Sequence, residues 1–391
     1  MKSNLSRITA LICAAGLALS LSGCLRGDQG TVIGAVPTPT PTPVATPEST
    51  PEPTPEATPM PANWHTIEAA SPDSVTLAFT GDVNFADDWA IMENYLASGK
   101  TDFSENFSAD LLAEMQGADL LLCNNEFCIS DRGEAMEGKE YTFRATPAST
   151  AYWQTMGADI LTLANNHVGD FGLDALTDTL DNLAAAGIAT VGAGRNLAEA
   201  QQAQYYQVNG MTIAYVAATR AEKNIMTPQA TEESPGVLYA YDPAETLDAI
   251  RQAKENADFV IVCLHWGTEE TTDLEQEQVD LATACAEAGA DLIVGSHPHV
   301  LQGAGWRGDV PVFYSLGNFW FNMDVDNTAL LKVTLYSPEE FTCQILPCQQ
   351  QGGTTELLTD ETDRSWVLTT MNDAMEEGAY LDGDGILQHA E

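Results

Sequence analysis

Two histidines stand two residues apart in Gly295-Ser296-His297-Pro298-His299, directly after a short apolar run, Asp291-Leu292-Ile293-Val294. In a turn, imidazoles at i and i+2 can face one metal ion or one small cluster. The chain has six histidines, at 65, 167, 265, 297, 299 and 389, and four of them follow a strand-like apolar run. Their shared placement, more than any one histidine, points to metal chemistry.

The context recurs. Gly117-Ala118-Asp119 leads through an apolar run to Asn124-Asn125-Glu126, and Gly157-Ala158-Asp159 leads through another to Asn165-Asn166-His167. Asn256-Ala257-Asp258 opens a third run to His265-Trp266-Gly267-Thr268-Glu269, and Gly289-Ala290-Asp291 opens the run to His297. Each copy reads as helix end, tight turn, buried strand and polar cluster. Gly or Asn supplies the left-handed residue that stops a helix, and a Val/Ile/Leu-rich run suits a strand buried on both faces. Ligands bind beyond the carboxyl ends of strands in open α/β sheets, so the four clusters are expected to converge.

Counting ligands defines the expected site. Asp82 ends the first apolar run in a Gly-Asp turn; Glu126, Asn166, His265, His297 and His299 end the others. Two carboxylates, an amide oxygen and imidazoles suffice for one divalent ion with open positions, or for two ions sharing a bridging group, with manganese, zinc or iron as the metals in question. His167, beside Asn166, can face the substrate as an acid. Asn84, Arg144 and Glu269 are candidates for contacting substrate, Arg144 by gripping an anion.

Positioning these residues requires strands and helices in alternation. Val75–Phe79 reads as the first strand, Leu111–Met115 and Thr150–Met156 as parts of helices, and Leu176, Leu180 and Leu183 as one helical face ended by Gly187. Val208-Asn209-Gly210-Met211 is a hairpin signal, and Thr272-Asp273-Leu274-Glu275 matches a capping box. Val312–Ser315, Leu330–Leu335 and Phe341–Leu346 look like later strands. Alternation first and strands last predict an α/β fold of two packed sheets with helices outside. The globular domain is expected over 62–350, followed by an acidic peripheral tail, 351–391, with one short helix near Trp366–Met375.

At the start of the chain, Lys2 and Arg7 precede an apolar run, Ile8–Leu21, too short to span a membrane, ending in Leu21-Ser22-Gly23-Cys24. It resembles a bacterial lipoprotein signal over 1–23, in which Cys24 would be lipidated and hold the protein on the outer face of the cell membrane. Residues 24–61 read as a Pro/Thr-rich semi-rigid tether. The net charge is −42, and removal of 1–23 takes two basic residues and no acid, giving −44. So acidic a chain argues against nucleic acid as a partner. It would also repel a polyanion unless metal ions or basic residues such as Arg144, Arg195, Arg220 and Lys223 reverse the field locally. Cys123, Cys263 and Cys285 fit core positions; Cys343 and Cys348 could pair in an exported protein.

With these residues laid out, the chain resembles the CapA family, poly-γ-glutamate capsule synthesis proteins of the calcineurin-like metallophosphoesterase superfamily. The likeness is carried by Phe79-Thr80-Gly81-Asp82, Asn124-Asn125-Glu126, Leu163–His167 with Asp170 and Gly172, His265-Trp266-Gly267 with Glu269, Gly295–Gln302 and Tyr314–Phe319. It implies a four-layer αββα sandwich and an extracytoplasmic role in making, anchoring or exporting an anionic polymer. It further implies that Asp82 and His299 bind a first metal, that Asn166, His265 and His297 bind a second, and that His167 protonates the leaving oxygen. Asn84 stands where the superfamily has a histidine, and Glu126 must bridge where the superfamily uses aspartate. The alternatives are a stand-alone metal-dependent phosphoesterase and a non-catalytic polymer-binding lipoprotein.

Overall fold

In the computed structural model the apolar runs are strands: β1 (Val75–Val83), β2 (Leu120–Asn125), β3 (Ile160–Thr162), β4 (Met211–Thr219), β5 (Phe259–His265), β6 (Leu292–Ser296), β7 (Asp326–Leu335) and β8 (Phe341–Gln351). The structure describes residues 60–222 and 226–390. The signal at 1–23, Cys24, the tether up to residue 59 and Lys223 lie outside the described residues.

Two large sheets form. In the eight-stranded one, β1, β2 and β3 are parallel neighbours, and β7 and β8 continue it antiparallel on the other side of β1. In the seven-stranded one, β4, β5 and β6 are parallel neighbours, and Gln204–Val208 returns into β4 through the hairpin at Asn209 and Gly210. Both turn residues have positive φ, 49° and 78°, as the turn type demands.

Alternation along each strand sets the layers. Leu77, Phe79, Leu120, Leu122 and Ile160 of the first sheet pack against Ile213, Tyr215, Ile261, Cys263 and Val294 of the second. The intervening residues face outward, where helices cover them. Ala78, Leu121 and Cys123 lie under α1 (Ala109–Gln116), α2 (Thr150–Met156) and α3 (Leu173–Ala185), through Leu111, Met115, Trp153, Leu176, Leu180 and Leu183. Val260, Val262, Leu264 and Ile293 lie under α4 (Ala244–Lys254) and α5 (Gln276–Ala288), through Ile250, Ala253, Leu281 and Cys285. The expected four-layer αββα sandwich is therefore present, and both faces of its central strands are apolar because each sheet is covered twice. No helix among the described residues is long and apolar enough to cross a membrane.

Three local expectations change. The capping box of α5 is formed by Glu275 and Gln278, not by Thr272 and Glu275, because the glutamate carboxylate serves as the cap acceptor. Cys343 and Cys348 are both free. They sit five residues apart on one strand, and an odd separation sends Cys343 between the sheets and Cys348 to the outer face. Residues 351–390 are packed and are not a peripheral tail. Thr354–Leu357 pairs with β8, α6 (Glu361–Asp373) buries Val367, Leu368 and Met371, and Leu381 and Leu387 join the same inter-sheet core. The acidic residues Asp360, Glu361 and Asp363 stand at the N-terminus of α6, where Asp360 caps two backbone N–H groups. Acidity there marks a helix start, not an unstructured tail.

Met371→Ala should therefore lower stability by about 2–5 kcal/mol in denaturant titration, as for a core methionine. A peripheral tail residue would change it by no more than ~0.5 kcal/mol.

Candidate metal centre

The carboxyl ends of β1, β2, β5 and β6 and the loop after β3 deliver the polar clusters to one place. Asp82 lies near the end of β1, Asn124 at the end of β2 with Glu126 just beyond it, and His265 ends β5. Asn166 and His167 follow β3, and His297 and His299 follow β6. Close backbone approach makes this convergence possible. A Cβ on Gly81 would stand 1.9 Å from the Gly317 carbonyl oxygen, and one on Gly295 would stand 2.0 Å from that of Tyr314. Beyond Gly295 the chain turns so sharply that His297 and His299 take φ of 99° and 61°. Non-glycine residues in such conformations cost on the order of 1–3 kcal/mol each, and they persist where surrounding contacts hold them. Here the His297 N–H donates to Asp82 Oδ2 at 3.1 Å, and His299 Nδ1 pairs with Asn318 Oδ1 at 2.9 Å.

At the middle of the cluster is Asn124. Its Nδ2 donates to Asp82 Oδ1 at 2.7 Å and to Glu126 Oε2 at 3.1 Å, while its Oδ1 accepts from Thr162 and Asn165 at 2.9 and 3.2 Å. Glu126 Oε1 lies 3.5 Å from His265 Nε2 and 3.6 Å from His299 Nε2. Asp82 Oδ2 is 3.5 Å from His299 Nδ1, and Asn166 Oδ1 is 2.8 Å from His265 Nε2. Two sets of donor atoms come within metal-holding distance of one another: Asp82, Glu126 and His265, and Glu126, His297 and His299. Glu126 belongs to both, the place a bridging carboxylate takes.

The electrostatics suit a cation. Burial, and after it the neighbouring Asp82 charge, pushes the Glu126 carboxyl well above the ordinary range. Burial first and neighbouring imidazoles second hold His265 and His297 well below the usual imidazole value. Both are thus neutral, the form that ligates. Glu126 Oε1 and His297 Nδ1 are buried without a hydrogen-bond partner. Unsatisfied buried polar atoms cost free energy, and a divalent ion would offset it at the carboxylate oxygen and at an imidazole nitrogen that carries a lone pair. The donor set, carboxylate oxygens, an amide oxygen and imidazole nitrogens, fits such an ion.

His167 stands at the edge of this centre and lines a cavity of ≈ 360 Å³ together with His299, Glu269 and Asn318. Its Nδ1 pairs with Asp170 Oδ2 at 2.7 Å, which leaves Nε2 for the cavity. Asp170 in turn pairs with Lys139 Nζ at 2.8 Å and accepts the Phe143 N–H at 2.7 Å. Lys139 also reaches Glu222 at 2.8 Å and the Asn166 carbonyl oxygen at 2.5 Å. Burial lowers the His167 pKa, against the opposing pull of Asp170.

Of the residues expected to contact substrate, Glu269 lines the cavity. Asn84 is fully buried, its Oδ1 accepting the Ala86 N–H at 2.8 Å in a local turn while its Nδ2 has no hydrogen-bond partner. Arg144 is not in the cavity wall. Its guanidinium lies 4.1 Å from the Phe171 ring centre and donates to the Arg132 and Gly133 carbonyls. Arg195 pairs with Asp181 and Glu199, and Arg220 with Glu275 and Glu277, so neither builds a basic patch here. Sequence reasoning missed Asn124, Asn318 and Lys139 as parts of the site. The doubled Asn-Asn at the ends of two runs was a visible signal for Asn124. Nothing local marks Lys139, which acts across the fold.

Lys139→Met should destabilise the protein by about 3–5 kcal/mol in denaturant titration, because it leaves the Asp170 carboxylate buried without its cation. Arg195→Met, whose pairs are exposed, should change stability by no more than about 1 kcal/mol.

Comparison with known proteins gives the same direction. Residues 76–323 match the family model described as bacterial capsule synthesis protein PGA_cap. The PGA biosynthesis protein CapA of Bacillus subtilis is 40% identical over 185 residues, 47% of this chain and 48% of that one. The capsule biosynthesis protein CapA of Bacillus anthracis is 34% identical over 257 residues, covering 64% and 60% of the two chains. A probable polyglutamine synthesis accessory protein of Mycobacterium tuberculosis is 31% identical over 216 residues, covering 52% and 56%. The chain thus spans about half to three-fifths of the length of these curated relatives. With the family model matched across the strands and loops that build the centre, the chain belongs to the bacterial capsule synthesis protein PGA_cap family, within the metallophosphoesterase-like superfamily.

Proposed function

We propose that this protein acts outside the cell membrane in the synthesis, anchoring or export of a capsule polymer, poly-γ-glutamate or a similar polyanion. Family membership and the names of the relatives support the polymer. The observation that carries the site's role is Glu126, a buried carboxylate with one unpartnered oxygen set between His265 and His299. Asp82, Glu126, Asn166, His265, His297 and His299 would hold one or two divalent ions, of manganese, zinc or iron. When bound, such an ion supplies Lewis acidity toward a phosphoryl or acyl oxygen and offsets the acidity of the chain for an anionic ligand.

The chain's own residues supply the rest. Asn124 keeps Asp82 and Glu126 in place through one amide group. Asp170, fixed by Lys139, holds His167 at Nδ1 and leaves Nε2 free to take up a proton, which the Asp170 charge favours against burial, and to pass it to a departing oxygen in the cavity that His167 lines. The sequence between Lys2 and Cys24 supports lipidation at Cys24, with residues 24–61 carrying the folded part away from the bilayer.

The full chain, purified without chelator, should contain about one or two equivalents of a transition metal by elemental analysis. His297→Ala with His299→Ala should remove it. Absence of bound metal after manganese and zinc are supplied would overturn the metal centre. Cys24→Ala should abolish labelling by radioactive palmitate and release the protein from the membrane fraction; unchanged labelling would refute the anchor.

A further inference from the structure

The cavity beside the centre has walls that the proposed chemistry does not use. Trp89, Tyr141, Phe143 and Phe321 line it. Their rings are steeply inclined, by 80° between Trp89 and Tyr141, 64° between Trp89 and Phe143, and 88° between Phe143 and Phe321, with centroids 6.0, 4.9 and 5.7 Å apart. The rings pack edge-to-face on one another, and an aromatic wall of this kind, with Tyr141 52% exposed, can receive an organic cation against a ring face. The wall also carries the carboxylates of Glu269, Glu270 and Asp324, and among the described residues that line the cavity there is no lysine or arginine. The buried Lys139 is already engaged by Asp170 and Glu222.

Two of these rings join the cavity to the centre. Phe143 lies 4.4 Å from the ring of His167, and Phe321 lies 4.5 Å from that of His299. A group seated against the aromatic wall is therefore beside the imidazoles. An anion would meet three carboxylates there, and a purely apolar group would strip water from them without compensation. A cation with a hydrocarbon stem satisfies both parts of the wall.

We propose that this cavity is a subsite for a primary ammonium group, on a ligand whose anionic portion lies at the metal centre. The anionic portion rests on the polymer-handling function proposed above; the ammonium does not. The same chemistry has two sources, the amino terminus of the polymer chain and an amine on an acceptor to which the polymer is joined.

Isothermal titration of the full chain, with and without manganese, against butylammonium, butanol and butyrate tests the subsite. Butylammonium should bind about tenfold more tightly than butanol, and butyrate should not bind without manganese. The combination Glu269→Gln, Glu270→Gln and Asp324→Asn, all at exposed positions, should weaken butylammonium binding about tenfold. Tyr141→Ala, at a residue 52% exposed, should weaken it without unfolding the protein. Equal affinity for butanol and butylammonium, or an unchanged affinity in the triple variant, would overturn the subsite. A short γ-glutamyl oligomer with free and acetylated amino terminus, compared with Nα-acetyl-lysine amide, separates the two sources; loss of binding on acetylation assigns the chain terminus. Butylammonium binding by a chain that holds no metal would retain the subsite and remove the metal centre. Metal bound without butylammonium binding would remove the subsite alone.

Discussion

Two carboxylates, Asp82 and Glu126, are buried out of water within reach of one amide group, and the structure around them is organised to tolerate that arrangement. Like charges in a low dielectric repel strongly, and burial by itself favours the neutral form. Asn124 donates to both carboxylates, the His297 backbone N–H donates to Asp82, and burial holds the His265 and His297 imidazoles well below their usual pKa. What this leaves over, an unpartnered Glu126 oxygen and an unpartnered His297 nitrogen, is a demand for positive charge. The chain as a whole is strongly acidic, and under the proposed function a cation held here would offset that charge for an anionic ligand.

The backbone meets this demand through strand ends and close contacts. Parallel neighbours in each sheet bring their carboxyl ends to a common side, and pressing the two sheets together brings both sets of ends into one cluster. Gly81 and Gly295 let the chain pass against the carbonyls of Gly317 and Tyr314 where a side chain would collide. The left-handed conformations of His297 and His299 direct both rings from one short turn, and their strain is borne by the hydrogen bonds to Asp82 and Asn318. Beside the centre, His167 is set by a relay from Glu222 through Lys139 to Asp170, and the aromatic wall begins where that relay ends.

Residue pattern alone was enough to read the strands, their covering on both faces, and the polar cluster at the end of each. Those are local facts: a run of apolar residues without alternation, a Gly or Asn before it, a carboxylate or imidazole after it. Asp82, Glu126, Asn166, His167, His265, His297 and His299 were legible for that reason, and so was the two-sheet architecture. Tertiary structure alone decided which donor faces which. Asn124 became the organiser because the register of β1 against β2 sets Asp82 opposite it. Arg144 turned to Phe171 and the Arg132 and Gly133 carbonyls, which lie nearer to it than the cavity, and Asn84 spends its Oδ1 on the Ala86 N–H while its Nδ2 stays buried without a partner. Lys139 and the aromatic wall come from segments distant in sequence, which no spacing can announce. The last forty residues looked like a tail because charge pattern reports solvent exposure, whereas membership of a core is set by the few apolar side chains that the other layers leave room for.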